Sequence, residues 1–267
     1  MIRDITIGQY YKADSVIHRL DPRVKLMGTL IFIISLFMGM NIWIYAVVTV
    51  ALVVVIKMSR IPLKFMVRGL KSIVILIIIS AVFNLFLTPG DVLIQIWKLT
   101  ITYQGLKMAI FMVVRLIYLI VGTSLMTLTT TPNNLTDGLE KGLGFLKVIK
   151  VPVHEIAMMM SIALRFIPIL IEETDKIMKA QMARGADFEN GSLIKRAKAM
   201  VPILVPLFVS AFRRANELAM AMEARCYHGS EGRTKMKPLK YEKRDRIAYI
   251  SMVLYLGVII IVKIIAA

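Results

Sequence analysis

The run from Leu26 to Lys57, "LMGTLIFIISLFMGMNIWIYAVVTVALVVVIK", carries no charged side chain before its last residue. A helix needs about 20 apolar residues to cross a bilayer's hydrocarbon at about 1.5 Å rise per residue. This run is too long for one crossing, and Gly39-Met40-Asn41 near its middle divides it into two short, tightly linked spans. Similar blocks follow. Ser72 to Leu87 is closed by Pro89-Gly90, Leu106 to Leu128 contains Arg115, and Ile247 to Ile265 has Lys263 near its end, where it can snorkel. Hydrophobic residues make up 58% of the 267 residues, above the globular norm of about 45–50%. These features predict an all-α integral membrane protein with about five spans.

Charge placement orients the spans. The 34 Lys+Arg exceed the 17 Asp+Glu, an excess that in a soluble chain points to nucleic acid. Here the basic residues gather between apolar blocks. Residues 1–25 hold five, and residues 57–71 hold Lys57, Arg60, Lys64, Arg68 and Lys71. The linker between spans three and four holds only Lys98, with Lys107 at its edge, whereas residues 131–246 hold twenty. The positive-inside rule puts the N-terminus, the 57–71 loop and residues 131–246 in the cytoplasm and the C-terminus outside. The expected parts are residues 1–130 with four spans, a cytoplasmic 131–246 segment, and residues 247–267 with the last span. No cleavable signal peptide is expected, because the first 25 residues lack an apolar core of sufficient length.

Within 131–246, Thr131-Pro132-Asn133-Asn134 reads as a helix start, leading into a short helix around Leu135 to Leu146. Two long helices follow, from about His154 to Arg184 and from about Leu193 to Arg225. Each begins apolar, "IAMMMSIALRFIPILI" and "MVPILVPLFVSAF", and ends charged, "EETDKIMKAQMAR" and "RRANELAMAMEAR". Neither apolar half is expected to span comfortably, and Arg165 adds about 2.5–3.5 kcal/mol to inserting the first. The alternative is that residues 155–171 and 201–212 are two further short spans, which charge counting does not exclude. Pro168 and Pro206 read as bends, since each removes a backbone donor. Taken alone, Arg184 and Arg225 read as cations at helix C-termini, each worth about 0.3–1 kcal/mol.

Catalytic patterns are missing. No Gly-x-x-x-x-Gly-Lys-Ser/Thr loop is present, so ATP hydrolysis by this chain is not expected. His154-Glu155 opens like a zinc-protease motif, but Met158 stands where the second histidine belongs. The single cysteine, Cys226, excludes an intrachain disulfide. No Asp or Glu falls in the five spans, which argues against a proton-coupled secondary transporter. A membrane-embedded enzyme acting on anionic lipids or nucleotides lacks a carboxylate, His or Cys constellation. No catalytic residue, metal ligand or cofactor is expected.

Four stretches together resemble the transmembrane T component of energy-coupling factor (ECF) transporters, the CbiQ/EcfT superfamily. They are "DSVIHRLDPRVKL" (14–26), similar to a Leu-Asp-Pro-Arg-x-Lys signature; "TTTPNNLTDGLE" (129–140); "ALRFIPILIEE" (163–173); and "AQMARG" (180–185) with "EARCYHG" ending the second long helix. The resemblance implies a non-catalytic ABC-importer subunit in the prokaryotic cell membrane. Its coupling helices cross and end in Ala-Arg-Gly motifs that dock two ABC ATPase subunits of a heterodimer. It implies a third partner, a membrane-embedded substrate-binding S component, and uptake of a vitamin or other micronutrient, or of cobalt or nickel in a dedicated permease. The docking residues would be Ala183, Arg184 and Gly185, and Ala224, Arg225 and Cys226. With Cys226 in the glycine position, Gly229 is expected to close the second helix one turn later. Contact with the S component falls to Met158, Met159, Met160, Arg165, Pro168 and Pro206, because methionines suit surfaces that repack against several partners. Arg115 would either line such a contact or reach the membrane surface.

Overall fold

The computed structural model describes residues 10–71, 73–96, 99–186, 188, 192–229, 236 and 238–265. Ser72, Lys98 and some of the basic residues counted above (Arg3, Arg233, Lys235 and Lys237) lie outside the described residues. The first apolar block forms α1 (Pro22–Phe37) and α2 (Ile42–Ser59). Asn41 in the break caps α2, its side chain accepting from the Trp43 N–H. α3 (Leu63–Lys71) and α4 (Val74–Leu87) follow, bent by 63° at their junction. A two-stranded antiparallel hairpin, β1 (Val92–Ile96) and β2 (Leu99–Thr102), joins α4 to α5 (Tyr103–Thr129). This hairpin is the one departure from the all-α expectation among the described residues. α6 (Pro132–Gly142), a 3-10 turn at Gly144–Ile149, α7 (Val153–Ala183), α8 (Leu193–Glu223) and α9 (Lys243–Ile265) complete the order. Thr131 caps α6, taking the Asn134 N–H on its hydroxyl, with Pro132 at the first helical position.

By length and composition α2, α5, α7 and α9 could each cross a membrane, and the α3–α4 pair makes a fifth span if counted as one. α1 has 16 residues, about 24 Å, and is short for a crossing. The apolar part of α7 has a mean hydropathy of 1.6 over 18 residues. By length and composition alone α7 thus qualifies as well, in line with the alternative of a further span at residues 155–171.

The chain divides into two compact units: Gly8–Lys141 with Leu239–Ala267, and Gly142–Pro238. In the first, α1, α2, α5 and α9 pack around two apolar clusters. One gathers Leu52, Ile61, Met66, Val121, Leu125 and Leu128; the other Leu36, Ile44, Tyr45, Val48 and Ile259. Gly122 lets α5 approach α1 so closely that an added Cβ would overlap the Phe32 ring. Ile42, Ile75, Val253 and Ile264 point outward and are about 70% exposed, an arrangement that a lipid solvent favours and water does not.

Arg115 neither lines an outward surface nor reaches past the fold. It is 8% exposed, its Nε donates to the Tyr45 hydroxyl at 3.0 Å, and its guanidinium stands 5.0 Å from the Phe37 ring. The end of α1 and the start of α2 enclose it, which corrects both sequence expectations for this residue.

The Leu-Asp-Pro-Arg-x-Lys stretch works as a clamp. Asp21 caps α1 by accepting the Arg23 N–H at 2.9 Å, with Pro22 at the first helical position. The Arg23 guanidinium turns back onto the Asp21 carboxylate at 2.9 Å and lies 3.8 Å above the Tyr241 ring. The Asp21 N–H donates to the Asp245 carboxylate, which also takes the Glu242 N–H at the start of α9. Lys25 donates to the carbonyls of His18 and Thr129. One short signature thus ties together the N-terminal segment, the end of α5 and the start of α9. Burial alone would raise the Asp21 carboxyl. The hydrogen bonds from Arg23 and the Arg23 charge outweigh it and hold the carboxyl below the ordinary carboxylate value.

Candidate functional site

The second unit consists largely of α7 and α8. Both helices run through internal prolines, Pro168 in α7 and Pro202 and Pro206 in α8. They pack antiparallel, and Arg214 of α8 donates to Glu173 of α7 at 2.8 Å. This cross-helix pair has no local signal in the sequence, because its partners lie 41 residues apart.

Both helices end in the same backbone turn. At the end of α7, Gly185 N–H donates to the Met182 carbonyl at 2.9 Å and Ala186 N–H to the Gln181 carbonyl at 3.0 Å. At the end of α8, Cys226 N–H donates to the Glu223 carbonyl at 2.9 Å and Tyr227 N–H to the Met222 carbonyl at 3.0 Å. This is the Schellman pattern, which needs a left-handed residue at its turn. Gly185 has φ 88° and Cys226 has φ 55°. Cys226 therefore adopts the conformation usually left to glycine, and the expectation that Gly229 closes the helix instead is overturned. The left-handed backbone costs a non-glycine residue about 1–2 kcal/mol. His228 offsets part of that cost by donating from Nδ1 to the Cys226 carbonyl at 2.7 Å.

The turn leaves Ala183-Arg184-Gly185 and Ala224-Arg225-Cys226 exposed. Each arginine sits at a rigid helix terminus with a small alanine before it. Its guanidinium is then free for bidentate bonds to a carboxylate or to backbone carbonyls.

The two tips lie far apart. Arg225 shares a groove of about 710 Å³ with Met158, Ser161, Ile162 and Arg165, from the first part of α7. Arg184 follows the other end of α7. From Ser161 to Arg184 along a helix is on the order of 35 Å.

The residues expected to meet a membrane partner divide with respect to this groove. Met158 and Arg165 line the groove beside Arg225. Met159 and Met160 are exposed, as are Pro168 and Pro206, but none of these four lines it. Within the apolar stretch 201–212 expected from the sequence, Val201, Val205, Phe208 and Phe212 form a stripe on α8, each more than half exposed. Its steps of four, three and four residues were the available signal. Among the described residues, no three of His, Cys, Asp and Glu are gathered to hold a metal ion.

Comparison with known proteins gives one consistent answer. The family described as cobalt transport protein, CbiQ, matches residues 13–236. Proteins named energy-coupling factor transporter transmembrane protein EcfT are similar over nearly the whole length. The Clostridium kluyveri protein is 57% identical over 250 residues, 93% of each chain. That of Thermosediminibacter oceani is 56% identical over 250 residues, 94% of each chain. That of Bacillus subtilis is 47% identical over 254 residues, 95% of this chain and 96% of its own.

Proposed function

The chain belongs to the CbiQ/EcfT family of energy-coupling factor transporter transmembrane proteins, and from that premise we propose that it is the non-catalytic scaffold of an importer. Two ABC ATPase subunits, as a heterodimer, grip Arg184 and Arg225, hydrolyse ATP and close. α7 and α8 carry that motion to a membrane-embedded S component that holds a vitamin or other micronutrient. The observation that carries this reading is the repeated tip: two helix ends closed by the same backbone turn, each presenting an exposed arginine, on the order of 35 Å apart on one antiparallel pair. Two like sockets on two ATPase subunits need two like plugs, well separated and stiff. A bidentate interfacial arginine costs about 2–5 kcal/mol to truncate once buried and bonded, enough to survive repeated partner motion.

The S component meets the exposed apolar surface of these helices, including Met159, Met160, Pro168 and Pro206 with Phe208 and Phe212. The protein lies in the prokaryotic cell membrane as a multi-pass subunit, with the N-terminus and residues 131–246 in the cytoplasm and the C-terminus outside. The family description favours a second reading, a dedicated cobalt or nickel permease subunit. Isolating the complex and identifying its S component and cargo separates the two.

Charge reversal tests the docking role. The doubly substituted Arg184→Glu, Arg225→Glu protein should insert and purify as a monodisperse membrane protein but retain no ATPase in a pull-down. ATPase recovery equal to that of the parent protein would refute it.

A further inference from the structure

Resting on the docking reading above, we propose that Arg165 is a second basic contact of the Arg225 joint, and that the ATPase segment seated there is acidic. Arg165 comes from the first part of α7 and Arg225 from the end of α8, yet both line the same groove of about 710 Å³. His228 lines it as well, and no Asp or Glu does. Among the described residues no carboxylate pairs with either arginine, whereas Arg214 is neutralised by Glu173 at 2.8 Å on the same helix pair. Two guanidiniums in one concavity repel each other unless an anionic partner enters between them. Met158, Ile162, Leu218 and Met222 give the groove an apolar side, and Cys226, Tyr227 and Gly229 complete its rim. Ser161 is tied back to the Ala157 carbonyl at 2.9 Å and does not compete for the occupant. The fitting occupant is an ATPase segment that places one or more carboxylates over an aliphatic face. Arg184 lines no part of this groove, so the two joints are unequal. The α8 tip binds with two basic groups from two helices, which moves Arg165 from the S-component surface to the ATPase joint.

The experiment uses the full chain in lipid nanodiscs and the transporter's purified ATPase subunits, with Kd measured at low and high salt. Arg165→Gln should weaken binding about tenfold, or ~1.4 kcal/mol, and the loss should shrink as salt screens the pair. Arg165→Lys should keep most of the affinity. Arg165→Gln combined with Arg225→Gln should cost less than the product of the single losses, because both act on one occupant. Combined with Arg184→Gln, the losses should multiply. Parent-like binding by Arg165→Gln beside a clear loss in Arg225→Gln overturns the inference and leaves the docking reading standing. Equal losses in Arg165→Gln and Arg165→Lys also overturn it, since charge would then be irrelevant, and so does a product rule with Arg225→Gln. Parent-like binding by both Arg184→Gln and Arg225→Gln removes the docking reading itself.

Discussion

Cys226 shows how one residue departs from a pattern without breaking it. Its left-handed backbone lets the α8 tip repeat the hydrogen bonds of the glycine-closed tip of α7. Cys226→Gly should therefore raise thermal stability by up to about 1 kcal/mol and leave ATPase affinity unchanged. A large loss of affinity would show that the thiol itself takes part in the joint. Arg115 argues the opposite case, a residue that looks functional by its charge and is internal by its bonds. Arg115→Ala removes the partner of the Tyr45 hydroxyl and should cost about 1–3 kcal/mol in detergent unfolding, with ATPase binding intact. The sequence showed the cost of an arginine in an apolar block but not its direction, because Tyr45 and Arg115 are distant in the chain. Hydropathy registers that a charge is present and is blind to which way the side chain turns.

At the scale of elements, the spans and the two long helices were legible because their signals are local: apolar runs, the break at Asn41 and the helix start at Thr131-Pro132. The β1–β2 hairpin was not, since its first strand, Val92–Ile96, extends the apolar character of α4 past Pro89-Gly90. Nor was Asp245, whose carboxylate joins two helix starts far apart in the sequence. Asp245→Ala should cost about 2 kcal/mol, as it strips an acceptor from two backbone N–H groups; Asp245→Asn should cost roughly half, read as the shift in thermal midpoint. Asp21 adds a pH dependence of known sign. Its folded carboxyl titrates below the unfolded value of about 3.9, so its contribution is fully present above that value. It is lost as the pH falls through the lower folded value. Between about pH 5 and pH 2 the parent should lose stability faster than Asp21→Asn, and parallel curves would contradict the Asp21–Arg23 pairing.

For the whole molecule, one unit holds the α1–α2–α5–α9 core with its signature clamp, and the other holds α7, α8 and both arginine tips. The sequence showed where the tips occur. It could not show that they lie at opposite ends of an antiparallel pair, or that Arg165 comes to share a groove with Arg225, because helix-to-helix packing has no local signature. The central claim is mechanical: motion enters at two separated arginines and leaves through the helices behind them. A cryo-electron-microscopy structure of the chain purified with its ATPase subunits tests this most directly. Both the Arg184 and Arg225 guanidiniums should lie within hydrogen-bond distance, about 2.7–3.2 Å, of carboxylate or carbonyl oxygens on two different ATPase subunits. Either guanidinium standing in solvent, with the ATPases bound elsewhere on the chain, would contradict the account.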